Sequence, residues 1–176
     1  CYPLTITDAY SRYLIACVAL PSTNGTKVRR IVQDVFRIYG LPKAIRSDNG
    51  PPFASVHGPH GYSELSIWWR KIGIAHERIE PGKPQQNGRH ERMHLTLKLE
   101  CEVANNMKAQ QRALDAFRRV FNDERPHEAL GGSVPSDFYA VSRRVAPTPI
   151  WGRDFEYDPL DESVRIDRLG RLSWNG

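Results

Sequence analysis

Apolar and polar positions alternate over residues 2–8 (YPLTITD) and again over 13–20 (YLIACVAL), with AYSR between them. That period is the mark of half-buried strands, and the pair reads as a β-hairpin. PSTNG interrupts the pattern and offers capping side chains. From 26 to 39 the period changes: Val28, Ile31, Val32, Val35, Phe36 and Tyr39 fall on one face of a helix, which Gly40 and Pro42 end. KAIRS (43–47) is a short strand that delivers Asp48-Asn49-Gly50. The Pro- and Gly-rich PPFASVHGPHG is a loop. It leads to a helix over 62–73, with Leu65, Trp68, Trp69 and Ile72 on its apolar side, and a short strand over 74–81.

GKPQQNG (82–88) is a polar loop, and a long helix is expected from about 89 to 105. Met93, Leu97 and Cys101 lie on one side of it and Leu95, Leu99 and Val103 on another, so it should be covered on two sides. Residues 95–103 also alternate, which leaves a strand as the second choice there; length and helix-forming residues favour the helix. A further helix spans about 108–122, with Leu114, Phe117, Val120 and Phe121 inward. DERPHEALGGSVPSDFYA is turn-rich with a short helix near its end, APTPIWGRD resembles a linker, and SVRIDRLGRLSW alternates around Leu169-Gly170 as a hairpin would. Hairpin, crossover helix, then strand implies a mixed sheet with helices packed on it, the α/β class. In such sheets ligands gather at the carboxyl ends of strands, where Asp48 sits. Three regions follow: 1–105 as the core, 106–145 as a helical extension, and 146–176 as a linker opening a small β domain.

Composition narrows the chemistry. The 176 residues suit one domain with a real core. No apolar run is long enough to cross a bilayer. The chain opens without an initiator Met or a basic, cleavable leader, and is expected to be a portion of a longer protein. Three cysteines with no C-x-x-C pair argue against a disulfide framework and for a reducing cytoplasm. Net charge is +5, while 146–176 is locally acidic, so the excess positive charge lies ahead of it and suits a polyanionic partner.

His90-Glu91-Arg92-Met93-His94 fits the H-E-x-x-H pattern of zinc proteases. Zinc would need a third ligand, for which Asp115 or Glu124 could be proposed, and the extended pattern with a later Gly and His is missing. The preferred reading places His90 and His94 on an exposed helical face. His57 and His60, among Gly and Pro, read as loop histidines. Glu91 belongs instead with Asp48. Each alone is ordinary: Asp-Asn-Gly is a turn, and an acid in a helix's first turn complements the dipole. Beside Glu91, however, KPQQNG supplies a cation, amides and a Gly, and Lys98 follows two helical turns along the same face, a layout suited to phosphates.

IRSDNGPPF followed by PGKPQQNGRHERMHLTLK resembles the core of retroviral-type integrases and the bacterial insertion-sequence transposases related to them. TDAYSRY is similar to that family's hairpin turn, and FNDERPHEALGGSVPSDFY to the segment after the core in the bacterial members. The resemblance covers residues 2 to about 139. It implies an RNase H-like fold, a mixed sheet with helices on both faces, and a polynucleotidyl transferase that cleaves transposon ends and joins them to target DNA. It also implies two Mg²⁺ or Mn²⁺ ions held by three carboxylates, with Asp48 as the second and Glu91 as the third. Hard oxygen ligands suit those ions better than zinc. DNA contacts are expected at Lys83, Gln85, Asn87, Arg89 and Lys98, and DNA and further copies of the chain as partners, in a bacterial cytoplasm at the nucleoid. The family's first Asp lies one strand before the turn that Asp8 occupies. The first strand should therefore be truncated, and the chain unaided is expected to bind metal weakly and not to cleave DNA. A DNA-binding or assembly piece without catalysis is the alternative. Trp68 and Trp69 are expected in the core, with a base-stacking platform as the lesser reading.

Overall fold

The computed structural model describes residues 1–55, 61–80 and 82–150. The hairpin forms as read. Strand β1 (Tyr2–Thr7) pairs antiparallel with β2 (Leu14–Leu20), with a register irregularity between Ile6 and Thr7. The Asp8 carboxylate closes the turn by accepting from the Tyr10 and Ser11 backbone N–H groups and the Ser11 hydroxyl. Helix α1 (Gly25–Tyr39) starts at Asn24, whose side chain accepts from the Thr26 and Lys27 amides. It ends at Gly40, where φ is +73° and a Cβ would meet the Ser142 carbonyl oxygen at 2.4 Å, so only glycine fits. Strand β3 (Ala44–Ser47) pairs in parallel with β4 (Ala75–Arg78), across α2 (Glu64–Lys71). Helices α3 (Gly88–Glu100) and α4 (Met107–Asp123) follow, then two single-turn 3₁₀ segments at Glu128–Leu130 and Pro135–Asp137.

Apolar burial puts helices on both faces. Leu4 and Leu20 join Val28, Val32 and Phe36 of α1 and Leu65, Trp68 and Trp69 of α2 in one cluster. Leu14 and Cys17 join Met93 and Leu97 of α3 and Leu114, Phe117 and Phe121 of α4 in a second. Both tryptophans are thus core residues, as expected. Helix α4 also closes the outer edge of β2 with polar side chains. Asn122 accepts from the Leu14 N–H at 2.7 Å and donates to the Leu14 carbonyl, Arg118 donates to the Ile15 carbonyl, and Gln111 bonds both Ala19 and Cys17. An exposed edge would otherwise invite pairing with another chain.

Two expectations need correction. The single mixed sheet comes as two separate two-stranded sheets, β1–β2 and β3–β4, with no strand among the described residues bridging them. Helix α3 ends at Glu100 and is covered on one side only: Met93 and Leu97 are buried, whereas Leu95, Leu99 and Val103 are 58%, 78% and 90% exposed. The loop histidines His57 and His60 and the hairpin expected around Leu169-Gly170 lie outside the described residues. Among the described residues no helix is long and apolar enough to cross a membrane.

Candidate active site

The parallel register of β3 and β4 sets Ser47 beside Arg78, so both strands release the chain at the same end. Asp48 is the first residue past β3 and is exposed. Its carboxylate accepts from the Gly50 N–H at 3.1 Å, a tight turn that fixes the side chain over the strand end. Asn49 donates to the Ile79 carbonyl at 2.9 Å and ties that turn to the segment leaving β4. Ser47, buried below, donates to the Asp48 carbonyl and lies 2.9 Å from His76 Nε2.

The connection from β4 to α3, expected as a loop, is a 3₁₀ turn over Pro84–Asn87 running straight into the helix. The Gln86 amide stitches it by accepting from the Glu80 N–H and donating to the Glu80 carboxylate, both at 2.9 Å. Lys83 pairs with the same carboxylate at 2.5 Å. These two contacts, Lys83 first, hold the Glu80 carboxyl below its usual range. Arg46, paired with Glu77, donates to the Gln86 carbonyl from below.

Helix α3 begins without a side-chain cap. Its histidine face meets β1. The Thr5 hydroxyl lies 3.0 Å from His90 Nε2 and 2.7 Å from His94 Nε2, and Thr7 Oγ1 lies 3.1 Å from His90 Nδ1. The two rings also meet edge to face at 4.8 Å. This corrects the expectation of an exposed histidine face: both rings are half-buried against the hairpin. Burial, then the neighbouring His94, pushes His90 down to about 4, and burial lowers His94 too. Both are neutral at pH 7 and bonded to hydroxyls. Among the described residues no three His, Cys, Asp or Glu side chains cluster to hold a metal.

Between β1 and β3 lies a cleft of about 1270 Å³. Leu4 to Ala9 form one wall and Ala44 to Asp48 the other, with Phe36 and Trp69 in its lining. Of the residues singled out in the sequence, Asp48, Gln85, Asn87 and Arg89 line it together. Glu91, Lys83 and Lys98 are exposed and do not. Asp48 lies close enough to His90, the residue before Glu91, to act on its charge. Sequence reasoning missed Thr5, Thr7 and Arg12. Thr5 and Thr7 share one face of a strand and His90 and His94 one face of a helix, but nothing local says that those faces meet.

Two family models, each described as an integrase core domain, match residues 1–84 and 72–135. The chain belongs to the integrase core family. Similar proteins agree. The 31.7 kDa protein of insertion element IS407 from Burkholderia multivorans is 33% identical over 149 residues, covering 83% of this chain and 51% of that one. The 39.2 kDa protein of insertion element IS476 from Xanthomonas euvesicatoria is 31% identical over 143 residues, 80% of this chain and 39% of that one. This integrase core therefore spans about half of the length of one of these relatives and about two fifths of the other. Among solved structures, the catalytic core domain of BIV integrase superposes with a TM-score of 0.54 at 21% identity, covering 77% of this chain and 82% of that one. A chain of the simian T-cell lymphotropic virus intasome, solved with the PP2A regulatory subunit B56 gamma, gives 0.62 at 18% identity, covering 98% and 59%. At such identities the likeness is one of fold, and that fold is RNase H-like. It bears out the α/β reading despite the divided sheet.

Proposed function

We propose that this integrase core is the catalytic part of a bacterial transposase, acting on transposon ends and target DNA at the nucleoid. The observation that carries the reading is the meeting, along one cleft, of Asp48 at the carboxyl end of β3 with Gln85, Asn87 and Arg89 leading into the helix that bears Glu91. Asp48 and Glu91 are hard oxygen donors and fit Mg²⁺ or Mn²⁺ by chemistry. They are two ligands, and a third carboxylate on a further strand would complete the set. The cleft between β1 and β3 suits that strand, because it is bounded by two strands with no partner on that side among the described residues. Bound cations would supply activation of water or a DNA 3′-hydroxyl and stabilisation of the leaving oxygen.

The chain's own residues bind and orient. Asp48 is held by its turn, and Glu91 is set by the His90 and His94 contacts with β1. Gln85, Asn87 and Arg89 meet the DNA backbone or a base edge, and Lys83 and Lys98 add charge outside the cleft. Leu95, Leu99 and Val103, exposed on α3 and just beyond it, suit contact with a second copy.

The test is nicking of a supercoiled plasmid in Mg²⁺ and Mn²⁺. It compares the 176-residue chain, a form carrying an upstream strand with an Asp, and that form with Glu91→Gln. Nicking by the extended form alone is expected. Nicking that survives Glu91→Gln would remove Glu91 from the site. A folded extended form that never nicks would leave the chain a DNA-binding or assembly piece.

A further inference from the structure

The hairpin turn and α3 bring two arginines to one point. Arg12 has φ +67°, a left-handed backbone that L-residues adopt only when the surroundings hold them there. Its guanidinium donates to the Ala9 carbonyl oxygen. Arg89, from the first turn of α3, donates to that same oxygen at 3.2 Å. The neighbouring Asp8 carboxylate is taken up by the Tyr10 and Ser11 amides and the Ser11 hydroxyl. Neither arginine pairs with an acid among the described residues, although five other basic side chains do.

Two cations sharing one neutral oxygen repel each other. The Arg12 guanidinium is accordingly made less basic, by burial first and then by Arg89. Each guanidinium has five N–H donors and spends one here, so most remain free. A carbonyl oxygen is a poor counterpart for two forks, whereas a phosphodiester offers two charged oxygens and matches guanidinium geometry. Both side chains line the cleft that Asp48 enters.

We propose that Arg12 and Arg89 together clamp a single phosphate of a DNA strand lying along the cleft toward Asp48. The clamp rests on the reading of the chain as a DNA-acting core, adds Arg12 to its contacts, and gives Arg89 a partner. Because the two residues share one phosphate, losing either should lose the contact.

The experiment measures binding of the 176-residue chain to a fluorescent duplex by anisotropy across a salt series. The variants are Arg12→Asn, which tolerates the left-handed backbone, Arg89→Gln, and the double variant. Lys27→Gln on α1 is the charge-matched control. Each single substitution is expected to weaken binding about tenfold at low salt. Each should flatten the slope of log K against log salt by about one, the loss of one neutralised phosphate. The double variant should lose no more slope than either single one, and Lys27→Gln should lose none. Slopes that stay unchanged, or losses that sum to about two, overturn the shared clamp. Arg12→Gly replaces Arg12→Asn if the latter does not fold. A second arm uses pyrophosphate alone and reads protection against thermal unfolding. Protection of the wild type that either arginine substitution abolishes supports the clamp even if DNA fails to bind, in which case the DNA reading falls by itself. DNA binding and pyrophosphate protection that are both indifferent to Arg12 and Arg89 leave the DNA reading standing and remove the clamp.

Discussion

Asn122 uses both ends of one amide on one residue, accepting from the Leu14 N–H and donating to the Leu14 carbonyl. Both Asn122 and Leu14 are buried, so neither backbone group can turn to water instead. Asn122→Ala should lower the unfolding free energy by about 2–3 kcal/mol in urea titration, because buried polar groups left unpaired cost their desolvation. Asn122→Leu should do no better despite its greater apolar area. A change under about 0.5 kcal/mol would mean that water reaches the β2 edge. The Thr5 hydroxyl works similarly, since it can donate to one histidine ring while accepting from the other. Thr5→Val keeps the shape and removes both bonds, for an expected loss of about 1–2 kcal/mol. If α3 is oriented through Thr5, amide exchange should also quicken in its first turns around Glu91. Unchanged exchange there would show that Met93 and Leu97 alone fix the helix. In the sequence, the two histidines looked like solvent-facing partners of a zinc pattern. Their real partners sit 85 and 89 residues away, a pairing that no local spacing encodes.

Helices with a broad apolar stripe were the easiest elements to read. Helix α1 starts one residue before its expected first position, and α4 gains one residue at each end. Helix α3 was harder because apolar residues sit around most of its circumference, so pattern alone could not say which side would find a neighbour. The answer came from the second core cluster, which Met93 and Leu97 join and Leu95 and Leu99 do not. Strand existence was legible from alternation, and the parallel pairing of β3 with a neighbour followed from crossover logic. The neighbour proved to be β4, a choice that local pattern could not make because strand pairing is long-range. Helix α1 also supplies an element-scale test. Its first turn carries no acid, and Asn24 is its cap. Asn24→Ala should cost about 1 kcal/mol, lowering Tm by about 2–4 °C. Asn24→Asp keeps the cap and adds a charge that the helix dipole favours, so its Tm should match or exceed that of the wild type. Equal losses for both would show that shape rather than the cap matters at Asn24.

At the scale of the whole molecule, the four histidines among the described residues are carried into the fold in the neutral state. Burial is the first cause of a lowered pKa at His76, His90, His94 and His127, and His90 is pushed down to about 4. In the unfolded chain each returns to about 6.5. Between those values the unfolded state holds more protons than the folded one, so stability rises with pH through that window. The contribution is complete above pH 6.5 and is lost as pH falls toward 4. His90 alone, shifted from 6.5 to about 4, could account for up to about 3 kcal/mol at about 1.4 kcal/mol per pH unit. The others are more exposed and add less. Thermal unfolding at constant ionic strength should therefore show a Tm lower by about 5 °C or more at pH 5 than at pH 7.5. His90→Gln can still bond the threonine hydroxyls but does not titrate, so it should remove the largest share of that drop. Equal drops in wild type and His90→Gln would place the pH sensitivity outside His90, and a flat profile would mean that His90 is protonated in the fold, with Thr5 and Thr7 as its acceptors.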